Sequence, residues 1–343
     1  MKRLLLFVLM VTAFVYFWQA FNQIPLRVIG QPTSTGLLQR DKEAPFFAGL
    51  RAVTKIPLQV VYQPVDALAI KDTFQLQMLK SGEFDLVSLR FMQNAEVEPS
   101  LAGIDLIGMI PDYRVAKQVI AAYAGTIDRN LQEKFKAKLL GIWSFGPQEF
   151  FCSKPIQRLA DIKGLKIRVG GPATSPFVLA FGGVPAVIPF EDTKNALAIG
   201  LVDCAITSAA SANSAGWLEH ANHSFPLAVQ FGLNGYAISL SKWNALSSRD
   251  QSILADTFAA YMTELWRFTQ ELQADATSCN TGGECKRGNR FQAKAVPVEA
   301  QDVALMRDIM MRTVFPEWAE KCEKLSPGCA REWQEKLSAV VGQ

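Results

Sequence analysis

The sequence has few of the residues on which enzyme chemistry depends. Its 343 residues include two histidines, His220 and His223. Their H-A-N-H spacing lacks the i, i+4 separation and the intervening glutamate of a zinc-protease helix. There is also no G-x-S-x-G elbow, P-loop or dinucleotide-binding glycine pattern. We therefore predict neither catalysis nor a bound cofactor or metal ion.

The sequence also lacks an excess of charge of one sign. Lys and Arg number 35 and Asp and Glu number 32, so the formal net charge is +3, and part of it comes from Lys2 and Arg3. Basic residues do not cluster with interleaved aromatic side chains, which is the pattern typical of nucleic-acid-binding proteins. We therefore expect no nucleic-acid partner.

The longest hydrophobic run lies at the N-terminus. Leu4–Phe21 is uncharged and follows two basic residues, which is the order found in a secretory signal peptide. A clean cleavage site is missing, because cleavage after Ala20 would put the bulky Trp18 where a small residue is preferred. The run also approaches the minimum of about 17 residues that can span a bilayer. Residues 1–24 are predicted to be either a cleaved signal peptide or an N-terminal anchor, and in both cases we expect export to the periplasm.

Six cysteines in an exported chain suggest disulfides. Four of them bracket two short loops rich in turn residues, which predicts two local disulfides, Cys279 with Cys285 and Cys322 with Cys329. The remaining two, Cys152 and Cys204, lie in apolar runs typical of strands. They either pair across neighbouring strands or remain as buried thiols.

Segments typical of strands alternate with segments typical of helices, both before and after about residue 147. This alternation indicates a parallel sheet with helices on its faces. Because it occurs twice, we predict an α/β fold with two lobes rather than one large sheet. Lobe I is assigned to residues 25–146 and about 232–262, and lobe II to residues 147–231 and about 278–343.

A long helix is predicted over residues 247–277. Ser247 is the expected N-cap with Asp250 three residues on, and neither Pro nor Gly follows within the segment. At about 1.5 Å per residue the helix would run some 45 Å, so we expect it to connect the two lobes. Apolar residues recur along it at helical spacing and predict a buried stripe: Leu254, Phe258, Met262, Leu265 and Leu272. Another segment, Val115–Leu140, is predicted as one or two helices with a break near Gly125.

One arginine lies within a short strand-like run in Leu159–Gly171. Apolar and basic residues alternate from Leu165 to Val169, and turn residues flank the run, which predicts a strand that carries Arg168. Alternating charges usually lie on the solvated face of an edge strand. The pattern alone therefore favours a surface position for Arg168.

The segments around this strand resemble the extracytoplasmic solute-binding subunits of TRAP transporters, the DctP-type family. The most specific similarity is D-I-K-G-L-K-I-R-V at Asp161–Val169, followed by F-G-G-V-P-A-V, F-E-D-T-K-N-A-L and G-L-V-D between Phe181 and Asp203. K-S-G-E-F-D at Lys80–Asp85 and S-K-W-N-A-L at Ser241–Leu246 also fit. The resemblance covers nearly the whole mature chain.

This resemblance implies a periplasmic-binding-protein (Venus flytrap) fold, with the ligand between two lobes. In the family, the arginine of the K-I-R-V strand forms a bidentate pair with the ligand's carboxylate, and Arg168 occupies that position. A guanidinium offers two parallel donors that match a carboxylate. The resemblance therefore makes Arg168 a predicted ligand contact rather than a surface charge.

Other cleft positions follow from the same resemblance. Gln31 falls where the family places a polar side chain, Phe190 matches an apolar ligand wall, and Thr207 replaces an asparagine common in the family. Arg90 also falls at a cleft position, where it either contacts the ligand or pairs with a nearby acid such as Glu96.

Gln148 departs from the pattern of many members. Those members, including the ones for sialic acid and other sugar acids, have a second arginine there, so that ligand class is disfavoured. A glutamine resembles the subgroup that binds 2-oxo acids with a metal ion. That subgroup also needs an acidic and an aromatic side chain near Ile206 and Thr207, which this chain lacks. Metal-assisted binding is therefore disfavoured, and Gln148 stays a candidate ligand contact.

The resemblance implies a periplasmic protein that captures a small organic acid and delivers it to the small and large membrane subunits of a TRAP transporter. The alternative is a ligand sensor, periplasmic or membrane-anchored, that uses the same fold, since a fold does not fix a function.

Overall fold

The computed structural model describes residues 23–68 and 70–342, which form two β-sheets flanked by helices. The predicted signal peptide or anchor falls on residues 1–24, of which 1–22 lie outside the described residues. Among the residues that are described, no helix combines the length and the apolar character needed to cross a membrane.

In chain order, the strands of the described residues are β1 (Ile24–Gly30), β2 (Leu58–Pro64), β3 (Leu86–Arg90), β4 (Ala137–Ser144), β5 (Gln148–Cys152), β6 (Lys166–Val169), β7 (Val184–Val187), β8 (Cys204–Ser208), β9 (His223–Gln230), β10 (Leu233–Ser239) and β11 (Lys294–Ala295). The first sheet has the order β2-β1-β3-β10-β4 and the second the order β11-β9-β5-β8-β6-β7. The predicted two-lobed α/β fold is therefore confirmed, with each lobe built on one sheet.

The helices follow the same chain order: α1 (Ala44–Thr54), α2 (Gln75–Ser81), α3 (Phe91–Asn94), α4 (Ser100–Gly103), α5 (Tyr113–Phe135), α6 (Ser175–Ala180), α7 (Thr193–Ala198), α8 (Ala209–Ser214), α9 (Leu240–Ala245), α10 (Ser248–Asn280), α11 (Ala300–Ile309), α12 (Phe315–Leu325) and α13 (Cys329–Val341). The break expected near Gly125 is wrong, because α5 is continuous. Gly125 is exposed, and its cost of about 1 kcal/mol relative to Ala is outweighed by the buried stripe that includes Val119, Tyr123 and Ile127.

The chain passes between the sheets at two neighbouring crossings. β4 of the first sheet leads directly into β5 of the second, and β9 of the second leads into β10 of the first. The second crossing is held from the side of lobe I by the buried Asp105. Its carboxylate accepts the backbone N–H of Phe231 at 2.8 Å and of Leu233 at 3.1 Å. These crossings place the ends of strands from both sheets around one space.

The long helix α10 contacts elements of both lobes, as predicted. Ser247 is its N-cap and accepts the Asp250 N–H at 3.1 Å. Near its middle the Trp266 indole donates to the Ile142 carbonyl of β4 at 3.0 Å. At its C-terminal end Asn280 donates to the Ala209 carbonyl at the start of α8, at 3.2 Å. The predicted apolar stripe from Leu254 to Leu272 is buried, so α10 connects the two lobes through packed contacts.

The C-terminal part of the chain divides between the lobes. β11 pairs with β9 of the second sheet. In contrast, Trp333 of α13 donates its indole N–H to the Gly103 carbonyl at 2.6 Å, and Trp318 of α12 donates to the Pro99 carbonyl at 2.8 Å. These helices therefore lie against α4 and its neighbours in the N-terminal half.

All six cysteines are paired. The two local disulfides, Cys279–Cys285 and Cys322–Cys329, are confirmed. Of the two alternatives for the remaining cysteines, the structure shows the disulfide: Cys152 of β5 lies directly opposite Cys204 of β8 in the antiparallel ladder.

Candidate functional site

A cleft lies between the lobes where the strand ends of both sheets meet. Its volume is about 70 Å³. Lobe I contributes Arg90 and Asn234, and lobe II contributes Arg168 and Thr207, while Gly232 lies at the crossing. Of the residues that the structure describes, those that line the cleft include two arginines and no Asp or Glu. The cleft is therefore suited to an anion.

Arg168 is buried in lobe II, with a residue exposure of 3%. β6 is an inner strand, since it pairs with β7 on one side and β8 on the other. The Arg168 guanidinium donates from Nε to the Ile188 carbonyl at 2.9 Å and from Nη1 to the Ile206 carbonyl at 3.1 Å. The solvated edge-strand position that the alternating pattern favoured is therefore wrong, because the neighbouring strands cover both edges of β6.

Two aromatic rings flank the same guanidinium. Its carbon lies 5.3 Å from the centre of the Trp217 ring and 5.9 Å from that of Phe190. Phe190 and Trp217 are also in contact with each other, with 5.0 Å between ring centroids. The rings offset part of the cost of burying the cation and fix its plane.

The charge of Arg168 has no acidic partner within 4.0 Å among residues 23–68 and 70–342, as no ion pair includes it. Burial lowers the pKa of the Arg168 guanidinium, and the positive charge of Arg90 lowers it further, whereas Glu191 and Asp72 act in the opposite direction. A buried cation whose charged form is poorly compensated gains stability from an anion placed beside it.

Arg90 is the last residue of β3 and is 7% exposed. Its Nη1 lies 2.6 Å from Asp72 Oδ2. The sequence suggested Glu96 as an acidic partner, and that suggestion is wrong: Glu96 pairs with Lys321 at 3.3 Å instead. Arg90 is therefore held in place by Asp72 while it lines the cleft.

Gln148 and Thr207 line the cleft from adjacent strands of lobe II. β5 and β8 are antiparallel, with Gln148 opposite Ser208 and Glu149 opposite Thr207. The Gln148 amide donates to the Gly146 carbonyl at 2.8 Å. Together with Phe190, these residues surround Arg168, so the structure brings five of the six candidate residues to one space.

Gln31 is the exception, because it does not line the cleft. It is fully buried, and its amide Nε2 donates to Ser88 Oγ at 3.0 Å. Its backbone N–H donates to the buried carboxylate of Glu43 at 2.6 Å. The side chain is therefore directed into lobe I, although β1 ends beside it.

Sequence reasoning missed several polar residues of the cleft. Gln230 and Asn234 both line it, as does Thr174, whose hydroxyl donates to Gln230 Oε1 at 3.2 Å. Gln230 and Asn234 stand on either side of the β9–β10 crossing. β10 is buried at every position, so it has no alternation of polar and apolar residues that would mark a strand.

The described residues contain no group of three or more His, Cys, Asp and Glu side chains that could hold a metal ion. His220 lies in a turn, and His223 begins β9. The two histidines therefore belong to different local structures.

Comparison with known proteins gives a family and a fold. Residues 61–283, more than half of the chain, match the family model described as bacterial extracellular solute-binding protein, family 7. A Bordetella pertussis extracytoplasmic solute receptor binding pyroglutamic acid has a TM-score of 0.79 and 14% identity, over 93% of this chain and 100% of its own.

Two TRAP periplasmic solute-binding proteins show the same likeness. The one from Desulfovibrio salexigens, with bound orotic acid, has a TM-score of 0.80 and 17% identity, over 92% of this chain and 99% of its own. The one from Rhodoferax ferrireducens, with bound malonate, has a TM-score of 0.78 and 19% identity, over 93% and 100%. At these identities the three structures establish the shared two-lobed fold.

Proposed function

The chain belongs to the bacterial extracellular solute-binding proteins of family 7, and we propose that it captures a small organic acid between its lobes and delivers it to a TRAP-type transporter. The acid's carboxylate binds to Arg168. Delivery involves the small and large membrane subunits of the transporter, and the capture takes place in the periplasm.

The observation that carries this proposal is the buried guanidinium of Arg168 at the cleft. Two of its nitrogens, Nε and Nη1, already donate to carbonyl oxygens, which orients the group. Nη2 donates no hydrogen bond to any of the described residues. A carboxylate at this position would supply both an acceptor and the missing negative charge.

The two lobes present complementary parts of the site. Arg168, Gln148, Thr207 and Phe190 belong to lobe II, whereas Arg90 comes from lobe I. A ligand that contacts both sets stabilises the closed arrangement over the open one by the contacts that only the closed form offers. Binding and closure are therefore one coupled event.

The ligands of structurally similar proteins support the same chemical class. Pyroglutamic acid, orotic acid and malonate are all carboxylic acids, and they are bound by proteins of the same fold. The cleft of this chain adds its own support, because no acidic side chain among the described residues lines it.

A thermal-shift screen of the purified protein tests the proposal. We expect a subset of carboxylic acids to raise the midpoint of thermal unfolding, since a ligand that binds only the folded state stabilises it by mass action. The primary amides of the same acids are the matched control and should give no shift. A shift with neither mono- nor dicarboxylates, or equal shifts with acids and amides, would contradict the proposal.

A further inference from the structure

A second cavity of about 220 Å³ adjoins the cleft. Met92 and Gln230 line both spaces, so these two side chains form the wall between them. The cleft itself is about 70 Å³. A buried cavity of about 150 Å³ admits a molecule as large as benzene. The cleft alone therefore holds little more than an acid group, whereas the adjoining cavity has room for a larger substituent.

The walls of the second cavity are mainly apolar and come from three parts of the chain. Leu106 belongs to lobe I, Ala173 and Pro176 to lobe II, and Trp318 to α12. The only polar atom of the Trp318 side chain, its indole N–H, is already bonded to the Pro99 carbonyl at 2.8 Å. The Trp318 side chain therefore leaves no polar group in this wall that an occupant would have to hydrogen-bond.

Charged side chains lie at the outer rim of this cavity rather than at its apolar wall. Lys321 and Glu96 are about half exposed and pair with each other at 3.3 Å. Lys324, also exposed, pairs with Glu320 at 2.6 Å. Because these two lysines already have acidic partners, the rim gives little reason for a second carboxylate at the far end of a ligand.

The wall between the cavities has one fixed and one adaptable side chain. The Gln230 amide is fixed by bonds to the Asp105 carbonyl at 2.9 Å and to the Thr174 hydroxyl at 3.2 Å. Met92 has an unbranched thioether side chain, which changes shape easily to fit a neighbour. Its backbone carbonyl packs closely on lobe II, since a Cβ on Gly171 would lie 2.7 Å from that oxygen. The Gln230 amide nitrogen also lies 3.6 Å from the Met92 sulfur, so an occupant enters the second cavity from the cleft only when the Met92 side chain moves aside.

We propose that the ligand is a monocarboxylic acid with an unbranched apolar chain, whose carboxylate binds Arg168 and whose chain passes Met92 into the second cavity. This inference rests on the proposed function and adds the ligand class. Dicarboxylates of the same length bind less well, because their second charge would have to enter an apolar space.

Calorimetric titration with butanoate, hexanoate and octanoate tests the ligand class. We expect affinity to increase about fourfold for each added methylene, since each buried methylene contributes about 0.8 kcal/mol. Suberate, which has the length of octanoate and a second carboxylate, should bind at least tenfold more weakly than octanoate.

A cavity-filling variant provides the second arm. Ala173→Leu should lower the affinity for octanoate at least tenfold and leave butanoate unchanged, because only the longer chain reaches Ala173. Ala180→Leu, which changes an exposed alanine of the same lobe, is the matched control and should leave both affinities unchanged. Should Ala173→Leu fail to fold, the chain-length series of the unaltered protein decides alone.

The outcomes separate this inference from the proposed function. If short carboxylates bind but octanoate binds no tighter than butanoate, the ligand class is wrong while carboxylate capture stands. If Ala173→Leu weakens both acids equally, the second cavity does not hold the chain. If no carboxylate binds at all, both proposals fail.

Discussion

At the scale of single residues, two buried arginines line one cleft, and their positive charges have different neighbours. Asp72 lies 2.6 Å from Arg90, so that charge is paired within the protein. Arg168 has carbonyl oxygens and the rings of Trp217 and Phe190 as neighbours instead. These neighbours orient a cation but do not neutralise it. Among the residues described, Arg168 is therefore the group that gains most from a bound anion.

Glu149, next to Gln148 on β5, leads to a prediction on pH. Burial raises the pKa of its carboxyl from 4.5 to about 7, although the Gln273 amide donates to it at 2.9 Å. The pKa of this carboxyl is higher in the folded state than in the unfolded state, so the protein is more stable when Glu149 is protonated. This stability is lost as the pH rises from about 4.5 to about 7. Glu149→Gln should therefore raise the free energy of unfolding at pH 8 by about 2 to 3 kcal/mol and change little at pH 4.5.

Urea unfolding of both proteins at the two pH values measures this difference. Glu149→Asp, which keeps the titrating group, is the control and should not reproduce the gain at pH 8. A Glu149→Gln variant that is equally or less stable than the parent at pH 8 would show that the buried carboxyl is not the source of the pH dependence.

The sequence predicts those cleft residues that lie in segments resembling the solute-binding subunits of TRAP transporters. Arg168, Arg90, Gln148, Thr207 and Phe190 all line the cleft, as placed by the resemblance. The alternating pattern by itself gave the wrong position for Arg168, because periodicity does not reveal which strands cover an edge.

Gln31, Gln230 and Asn234 show why the remaining side chains were not predictable. The Gln31 side chain donates to Ser88 and its backbone N–H donates to Glu43. Both contacts depend on how lobe I packs around Gln31, which the local sequence does not reveal. Gln230 and Asn234 flank a crossing between sheets, and the crossing becomes visible only when both sheets are assembled.

At the scale of elements, β5 and β8 form the part of lobe II that carries Gln148 and Thr207. The Cys152–Cys204 disulfide joins these strands at opposed positions, 52 residues apart in sequence. By comparison, Cys279–Cys285 joins residues only 6 apart, at the C-terminal end of α10. The first bond therefore constrains a much larger loop of the unfolded chain.

This difference predicts unequal losses of stability. Replacing Cys152 and Cys204 together by Ala should lower the free energy of unfolding by about 4 kcal/mol, from the entropy of closing the larger loop. The same replacement of Cys279 and Cys285 should cost about 2 kcal/mol. Denaturant unfolding of the two double variants side by side checks the order, and equal losses or the reverse order would contradict it.

The elements that sequence predicted well are those with a local signal of their own. The N-cap at Ser247 and the apolar stripe of α10 are examples, and both are confirmed. α5 shows the opposite case, since packing of its buried face outweighs the local preference of Gly125. β10 was missed because its residues, buried on both faces, carry no period of two.

At the scale of the whole molecule, the lobes are in contact across the cleft. Gly171 of lobe II approaches the Met92 carbonyl of lobe I so closely that a Cβ would lie 2.7 Å from it. The Asp105 carboxylate holds the crossing at Phe231 and Leu233 from the lobe I side. The described arrangement is therefore a closed one, in which residues of both lobes face the same small space.

The central claim is that Arg168 binds the carboxylate of the ligand in this closed cleft. Calorimetric titration of Arg168→Ala with the acid that gives the largest thermal shift tests it most directly. Lys166→Ala, which changes an exposed basic residue of the same strand, is the matched control. We predict that Arg168→Ala weakens binding by about 2 kcal/mol or more, about 30-fold, because the buried carboxylate loses its charged partner, while Lys166→Ala binds as the parent does. An Arg168→Ala protein that folds normally and binds the acid with the parent's affinity would contradict the claim.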